Sequence, residues 1–227
     1  GATGATRSPP GAGAPQALTE AGGHSCEAGA RRAYLLQTAE KGIAWLRVVA
    51  EGRAGHGSQV NDDNAVTRLA EAVARIGTHH WPNTLTPTVD KLLRGVADLT
   101  GLRYDPEDSR SIEALVAALG PASRFVGATV RHTSNPTQLS AGYKANVIPG
   151  RAEAAIDARL LPGHEEDGFA TLRALAGEHV RVEEIHRDIA LEVPFAGDLV
   201  DAMVGSLLGA APEASGQPSA RAAGPGR

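Results

Sequence analysis

The segment Gly55-His56-Gly57-Ser58, with Gly52 before it and Asn61-Asp62-Asp63-Asn64 after it, is where the sequence most clearly sets up chemistry. Glycines on both sides of one imidazole leave the ring uncrowded and let the backbone turn sharply. Asp62, Asp63 or Asn64 can cap a following helix by accepting from its first free N–H groups. A histidine displayed this way can reach a ligand; the plain alternative is a turn histidine beside a helix cap. Glu20, in Leu18-Thr19-Glu20-Ala21-Gly22, stands where a strand end enters a glycine turn and can display a carboxylate. His24, His79, His80, His132, His164, His179 and His186 show no metal-ligand spacing, and none is read as a ligand. Cys26 is the single cysteine, which excludes an internal disulfide and a thiolate-rich zinc site and fits a reducing, cytoplasmic setting.

The whole chain bounds the partners. A formal charge of −4 over 227 residues leaves no basic footprint for nucleic acid or an anionic membrane surface. No run of about 18 apolar residues offers a membrane span. With 42% hydrophobic and 21% charged residues, the composition is that of a chain able to build a core. A small or neutral partner is the expectation.

Elements able to position these residues follow from periodicity. Gly42–Ala50 is rich in β-branched and aromatic residues and reads as a strand buried largely on one face, after a short apolar run at Arg32–Leu36. Beyond the His56 turn, Val66, Leu69, Ala70, Val73, Ala74 and Ile76 recur at helical spacing up to Gly77, with Arg68 and Arg75 turned outward. Two shorter helices, about Val89–Leu99 and Ser111–Leu119, look like an insertion. Phe125–Arg131 resumes strand character, Pro136 interrupts it, and Thr137–Tyr143 continues toward a turn. Ala152–Leu161 alternates small or apolar with charged residues as a half-buried strand does. Glu165–Ala176 is a helix, Val180–Ile185 an alternating strand, and Asp198–Leu208 one more helix. The core order is βαββαβ, the ferredoxin-like α+β unit, in which two helices cover one face of a four-stranded antiparallel sheet. Its free edge is a natural dimerisation surface.

Three blocks together resemble one family. Glu40-Lys41-Gly42 with Trp45 leading to Ala54-Gly55-His56-Gly57-Ser58 and Asp63-Asn64-Ala65-Val66, then Asn146-Val147-Ile148-Pro149, then Asp157-Ala158-Arg159-Leu160-Leu161-Pro162-Gly163, are similar to the lid or dimerisation domain of the aminoacylase, acetylornithine deacetylase and succinyl-diaminopimelate desuccinylase family of two-zinc metallopeptidases. The likeness covers roughly residues 18 to 208. It implies a catalytic role for His56, stabilising the oxyanion formed when water attacks an amide, commonly in the partner subunit's active site. It implies that Asn146 and Arg159 bind substrate, Arg159 by forked bonds to a carboxylate, and that Glu20 matches a metal ligand. The local alternatives are a turn asparagine, a strand arginine facing solvent and a loop glutamate.

The resemblance also says what is missing. The family's His-x-Asp ligand pair, its Glu-Glu pair holding the general base, and its distant histidine have no counterpart here; Glu165-Glu166 falls inside the lid, at a helix start. The expectation is therefore a fragment: a low-complexity stretch over 1–16, a remnant of the catalytic zinc domain over 17–40, the lid and dimerisation domain over 41–188, a remnant helix over 189–209 and a low-complexity tail over 210–227. In the complete homodimeric hydrolase two zinc ions and a small peptide or N-acyl amino acid substrate are expected, whereas this chain alone is expected to be inactive and not to retain zinc. The alternative is a non-enzymatic ferredoxin-like module that dimerises or binds a small ligand.

Overall fold

Small and apolar residues at every second position, Ala152, Ala154, Ile156, Ala158 and Leu160, commit one face of a segment to burial, and in the computed structural model that segment is a central strand. The structure describes residues 23–28, 31–210 and 215–222. In chain order the elements are β1 Gly23–Ala28, β2 Arg31–Glu51, β3 Gly55–His56, α1 Ala65–Gly77, α2 Pro87–Thr100, α3 Ser109–Ala117, α4 Ser123–Gly127, β4 Thr133–Ala141, β5 Val147–Ile148, β6 Arg151–Leu160, α5 Glu165–Ala176, β7 Val180–Arg187, β8 Leu191–Glu192, α6 Asp198–Ala210 and β9 Ser215–Ala222.

The second half of β2 lies between β7 and β6, and β4 pairs with the outer side of β6, every neighbour antiparallel. The order β7-β2-β6-β4 with α1 and α5 as crossovers is the ferredoxin-like arrangement expected from the βαββαβ pattern. Ala44, Leu46, Val48 and Ala50 of β2 and the alternate residues of β6 meet Leu69 and Ile76 of α1 and Phe169 and Leu172 of α5 in one core. Arg75 is exposed, as expected, and donates from Nε to the Leu175 carbonyl (2.7 Å) and from Nη2 to that of Ala176 (2.9 Å). It thereby satisfies two of the carbonyls a helix end leaves without partners and ties α1 to α5.

β2 is twice as long as its sequence suggested, because its first half serves a second core. Residues 31–41 pair with β1, β8 and β9, and Ala33, Leu35 and Ala39 pack against Val89, Leu92, Leu93 and Val96 of α2 and Ile112 and Leu115 of α3. The helical insertion is thus the cover of this half-sheet. The pairing partners of β2 change at Lys41-Gly42, where a Cβ on Gly42 would come within 2.8 Å of the Asp188 carbonyl oxygen.

Two expectations are corrected. Phe125–Arg131 is not a strand: Val126 and Val130 are both buried in the helical core, so their four-residue spacing serves α4 and the turn after it. Pro136 does not interrupt the following strand. Among the described residues β4 is an edge strand, paired only with β6, and a register shift between Pro136 and Gln138 accommodates a residue without an N–H.

Candidate functional site

His56 is held by a two-residue ladder. Gly55 and His56 of β3 pair with Ile148 and Val147 of β5, and the Gly57 N–H donates to the Asn146 carbonyl at 2.9 Å. The ladder is anchored at Gly52, whose N–H donates to the Gly150 carbonyl (3.0 Å). A Cβ at Gly52 would lie 2.5 Å from the Asp63 carbonyl oxygen and 2.6 Å from the Ala65 nitrogen, so this glycine is required by close backbone approach. Asn64 is the residue that caps α1, accepting from the Val66 N–H at 2.9 Å, while Asp63 pairs with Arg68 at 2.6 Å.

This framework sets the chemistry of the ring. The Ser58 backbone N–H, which can only donate, lies 3.3 Å from Nδ1, and the Ser58 hydroxyl lies 2.8 Å from it. Nδ1 is therefore the acceptor and the neutral ring carries its proton on Nε2. Nε2 lies 3.4 Å from the carboxamide nitrogen of Asn146, and both residues are exposed. In that tautomer both groups are donors and can share one oxygen, which is what stabilising an oxyanion demands.

Arg159 is elsewhere. It lies on β6 opposite Ile43 of β2 and Thr133 of β4, eight residues from Arg151 at the His56 end, roughly 26 Å along a strand. Asp157 binds it through two bonds, Nε at 2.6 Å and Nη2 at 2.8 Å, which fixes the plane of the guanidinium. The structure thus brings His56 and Asn146 together and leaves Arg159 at the far end of the same sheet. Glu20 lies outside the described residues. Among the described residues no three His, Cys, Asp or Glu side chains are grouped to hold a metal ion, so they do not fit the zinc centre that the resemblance implies.

Lys41 escaped the sequence reading as a site residue, although a lysine inside an apolar strand was its signal. It is 1% exposed, and its Nζ donates to the carbonyls of Ala128 (2.9 Å) and Arg131 (2.7 Å) and lies 3.5 Å from Thr133 Oγ1. Burial, with the charge of Arg159 nearby, pulls its pKa down to about 7. Close by, His132 accepts from the Leu161 N–H at Nδ1 (3.1 Å) and packs edge-on against Trp81; burial first, then Lys41, lowers its pKa to about 4. Both native groups bind fewer protons than in the unfolded chain, so stability rises with pH through each window. Stability should fall as pH drops from about 6.5 to about 4, and rise between about pH 7 and 10.5. Urea titrations across pH check this: His132→Asn should flatten the acid slope and Lys41→Met the alkaline one, and an unchanged slope in either variant refutes that assignment.

The two sheet edges differ. β7 carries Arg181, Glu183, Glu184 and Arg187, the charges that keep an edge solvated, and β4 presents Thr137, Gln138, Leu139, Ser140 and Ala141 without a charge. Leu139 is 67% exposed, and beyond it an open concavity of about 530 Å³ lies between Val66 on α1 and the Gly142–Ala145 turn that leads to Asn146.

Residues 38–183 match the family described as peptidase dimerisation domain. The chain is 29% identical over 133 residues to the N-fatty-acyl-amino acid synthase/hydrolase PM20D1 of Bos taurus, covering 56% of this chain and 26% of that protein. It is 25% identical over 159 residues to PM20D1.1 of Danio rerio, covering 68% of this chain and 31% of that one. It therefore spans about a quarter to a third of the length of these relatives. In fold it is similar to the M20 family metallo-carboxypeptidase Sso-CP2 of Sulfolobus solfataricus, with a TM-score of 0.54 at 19% identity over 83% of this chain and 47% of that one.

Proposed function

We propose, from the premise that the chain belongs to the peptidase dimerisation domain family, that it is the lid and dimerisation portion of a zinc-dependent hydrolase that cleaves an amide bond next to a free carboxylate. The observation that carries this is the pair of donors on His56 and Asn146, 3.4 Å apart on an exposed ladder and far from Arg159. An oxyanion site with no substrate clamp beside it is completed by a second copy. His56 and Asn146 of one protomer then serve the catalytic centre of the other, where Arg159 of that protomer holds the carboxylate.

A metal would be held by a catalytic portion outside these residues, and the chemistry it would supply there is activation of the attacking water. The residues described here orient the substrate and meet the charge that develops on its carbonyl oxygen. Substrates are small peptides or N-acyl amino acids, and the similarity to PM20D1 favours the latter. The partner switch along β2 at Lys41-Gly42 supports a boundary between a catalytic-domain remnant over 17–40 and the lid over 41–188, with 189–209 returning to the catalytic domain. Taken alone, the chain is proposed to act as a dimerising, ligand-binding module without turnover, because the family's His-x-Asp and Glu-Glu pairs have no counterpart in its sequence. Its single thiol, Cys26, supports a cytoplasmic setting.

Dimerisation through β4 is the part open to direct test. Sedimentation should show a dimer that Leu139→Lys converts to monomer without changing the circular dichroism, since Leu139 is 67% exposed and carries no core. Ile185→Lys on β7, at 48% exposure, should leave the dimer intact. A Leu139→Lys dimer, or an Ile185→Lys monomer, assigns the interface elsewhere.

A further inference from the structure

The face of the sheet turned away from α1 and α5 is a lattice of paired charges along most of its length. Arg47 and Glu183 lie 3.8 Å apart, Arg181 and Glu183 2.7 Å, and Arg151 and Glu153 3.1 Å. At the Arg159 end the lattice continues in Arg159 and Asp157, 2.6 Å apart, and aromatic rings join it. Four residues in register form a row across all four strands: His186 on β7, Trp45 on β2, Asp157 on β6 and Asn135 on β4. The next row on the same face holds Ile43, Arg159 and Thr133.

Trp45 is 37% exposed in this polar setting, its ring tilted 45° against that of His186 with centroids 5.1 Å apart. His186 is in turn held by Asp188, Nε2 to Oδ2 at 3.0 Å. The other tryptophan shows what the fold does with an indole used for packing: Trp81 is 7% exposed, sits in the core and donates its N–H to Ser134 Oγ at 3.0 Å. Trp45 belongs to neither core, its ring rests against that of His186, and it stands one strand over and one row along from the guanidinium that Asp157 orients.

We propose that Trp45, backed by His186, is the platform that selects the substrate's amino-acid side chain. The inference rests on the reading of Arg159 as the carboxylate clamp. The carbon that bears the carboxylate also bears the side chain, so a carboxylate at Arg159 leaves that side chain only a few ångströms away, within reach of the neighbouring row. An indole face there favours apolar and aromatic side chains by burial and offset stacking, and His186 widens the surface. The ligand class is an N-acyl amino acid with an apolar or aromatic residue on the carboxylate side of the amide.

The two indole N–H resonances of this chain make the test local, with Trp81 as the buried internal control. Titrations with N-acetyl-phenylalanine, N-acetylglycine and N-acetyl-phenylalanine amide separate the two readings. The phenylalanine acid should shift the Trp45 resonance and bind roughly tenfold tighter than the glycine acid. Trp45→Ala, followed through backbone amides, should bring the two acids within about twofold of each other with an unchanged fold. Equal affinities for the two acids, a ratio that survives Trp45→Ala, or no saturable response to N-acetyl-phenylalanine overturns the platform. If the amide binds as well as the acid while the side-chain ratio persists, the Arg159 reading fails and the platform stands.

Discussion

Replacing His56 with alanine in the enzyme complete with its catalytic portion should lower kcat by roughly two to three orders of magnitude while leaving the melting temperature almost unchanged. The two halves of that expectation come from different facts. His56 is exposed and contributes nothing to either core, so truncating it falls among surface changes worth within about 0.5 kcal/mol. In the proposed scheme, by contrast, its Nε2–H is one of two donors to a charge that exists only as the amide carbonyl becomes tetrahedral, so its removal should be felt in kcat. KM should move little, because Arg159 and not His56 holds the ground state in this scheme. Steady-state kinetics beside a melting curve check it. A variant that loses fold and turnover together, or that raises KM at constant kcat, would count against the oxyanion role. His56→Gln, which retains a donor of shorter reach, should recover part of the loss.

Phe169→Ala should be the most damaging of the simple truncations in the lid, at about 3–5 kcal/mol. The ring is 2% exposed, packed between α5 and the sheet, and the guanidinium of Arg187 lies over it at 4.5 Å from its centroid. Removing it leaves a cavity that flanking elements cannot close, because Arg75 pins the end of α5 to α1. It also removes the aromatic face that partners Arg187. At about 2–4 °C per kcal/mol for a domain of this size, the melting temperature should drop by roughly 6–20 °C. Phe169→Leu, which refills much of the volume, should cost about 1.5 kcal/mol or less. A loss in Phe169→Ala below about 1 kcal/mol in denaturant titrations would show that this core is not the close-packed one described.

The lid was legible wherever one periodicity ran unbroken. Ala152–Leu160 alternates, Glu165–Ala176 repeats at helical spacing, and both elements lie where those periods place them. Such patterns survive folding because burial of one face is the largest force on each segment. The reading failed where a segment answers to a partner distant in sequence. Phe125–Arg131 is apolar enough for a strand, and only the insertion's core, formed with α3 and β2, makes it a short helix and turn. β2 was cut short because its two halves face different cores across Lys41-Gly42, which breaks any single period.

Residue types and order by themselves determined the βαββαβ frame and the display of His56, and short blocks in fixed order carried the family resemblance that made Asn146 and Arg159 candidates. Tertiary structure alone decided that His56 and Asn146 form one pair while Arg159 stands at the other end of the sheet. It likewise decided that Lys41 is a buried anchor and that Trp81 lies in the core while Trp45 stands exposed on the outer face of the sheet. The physical reason is register: sequence specifies which residues face outward along a strand, but only the pairing of β2, β4, β6 and β7 specifies which of them become neighbours.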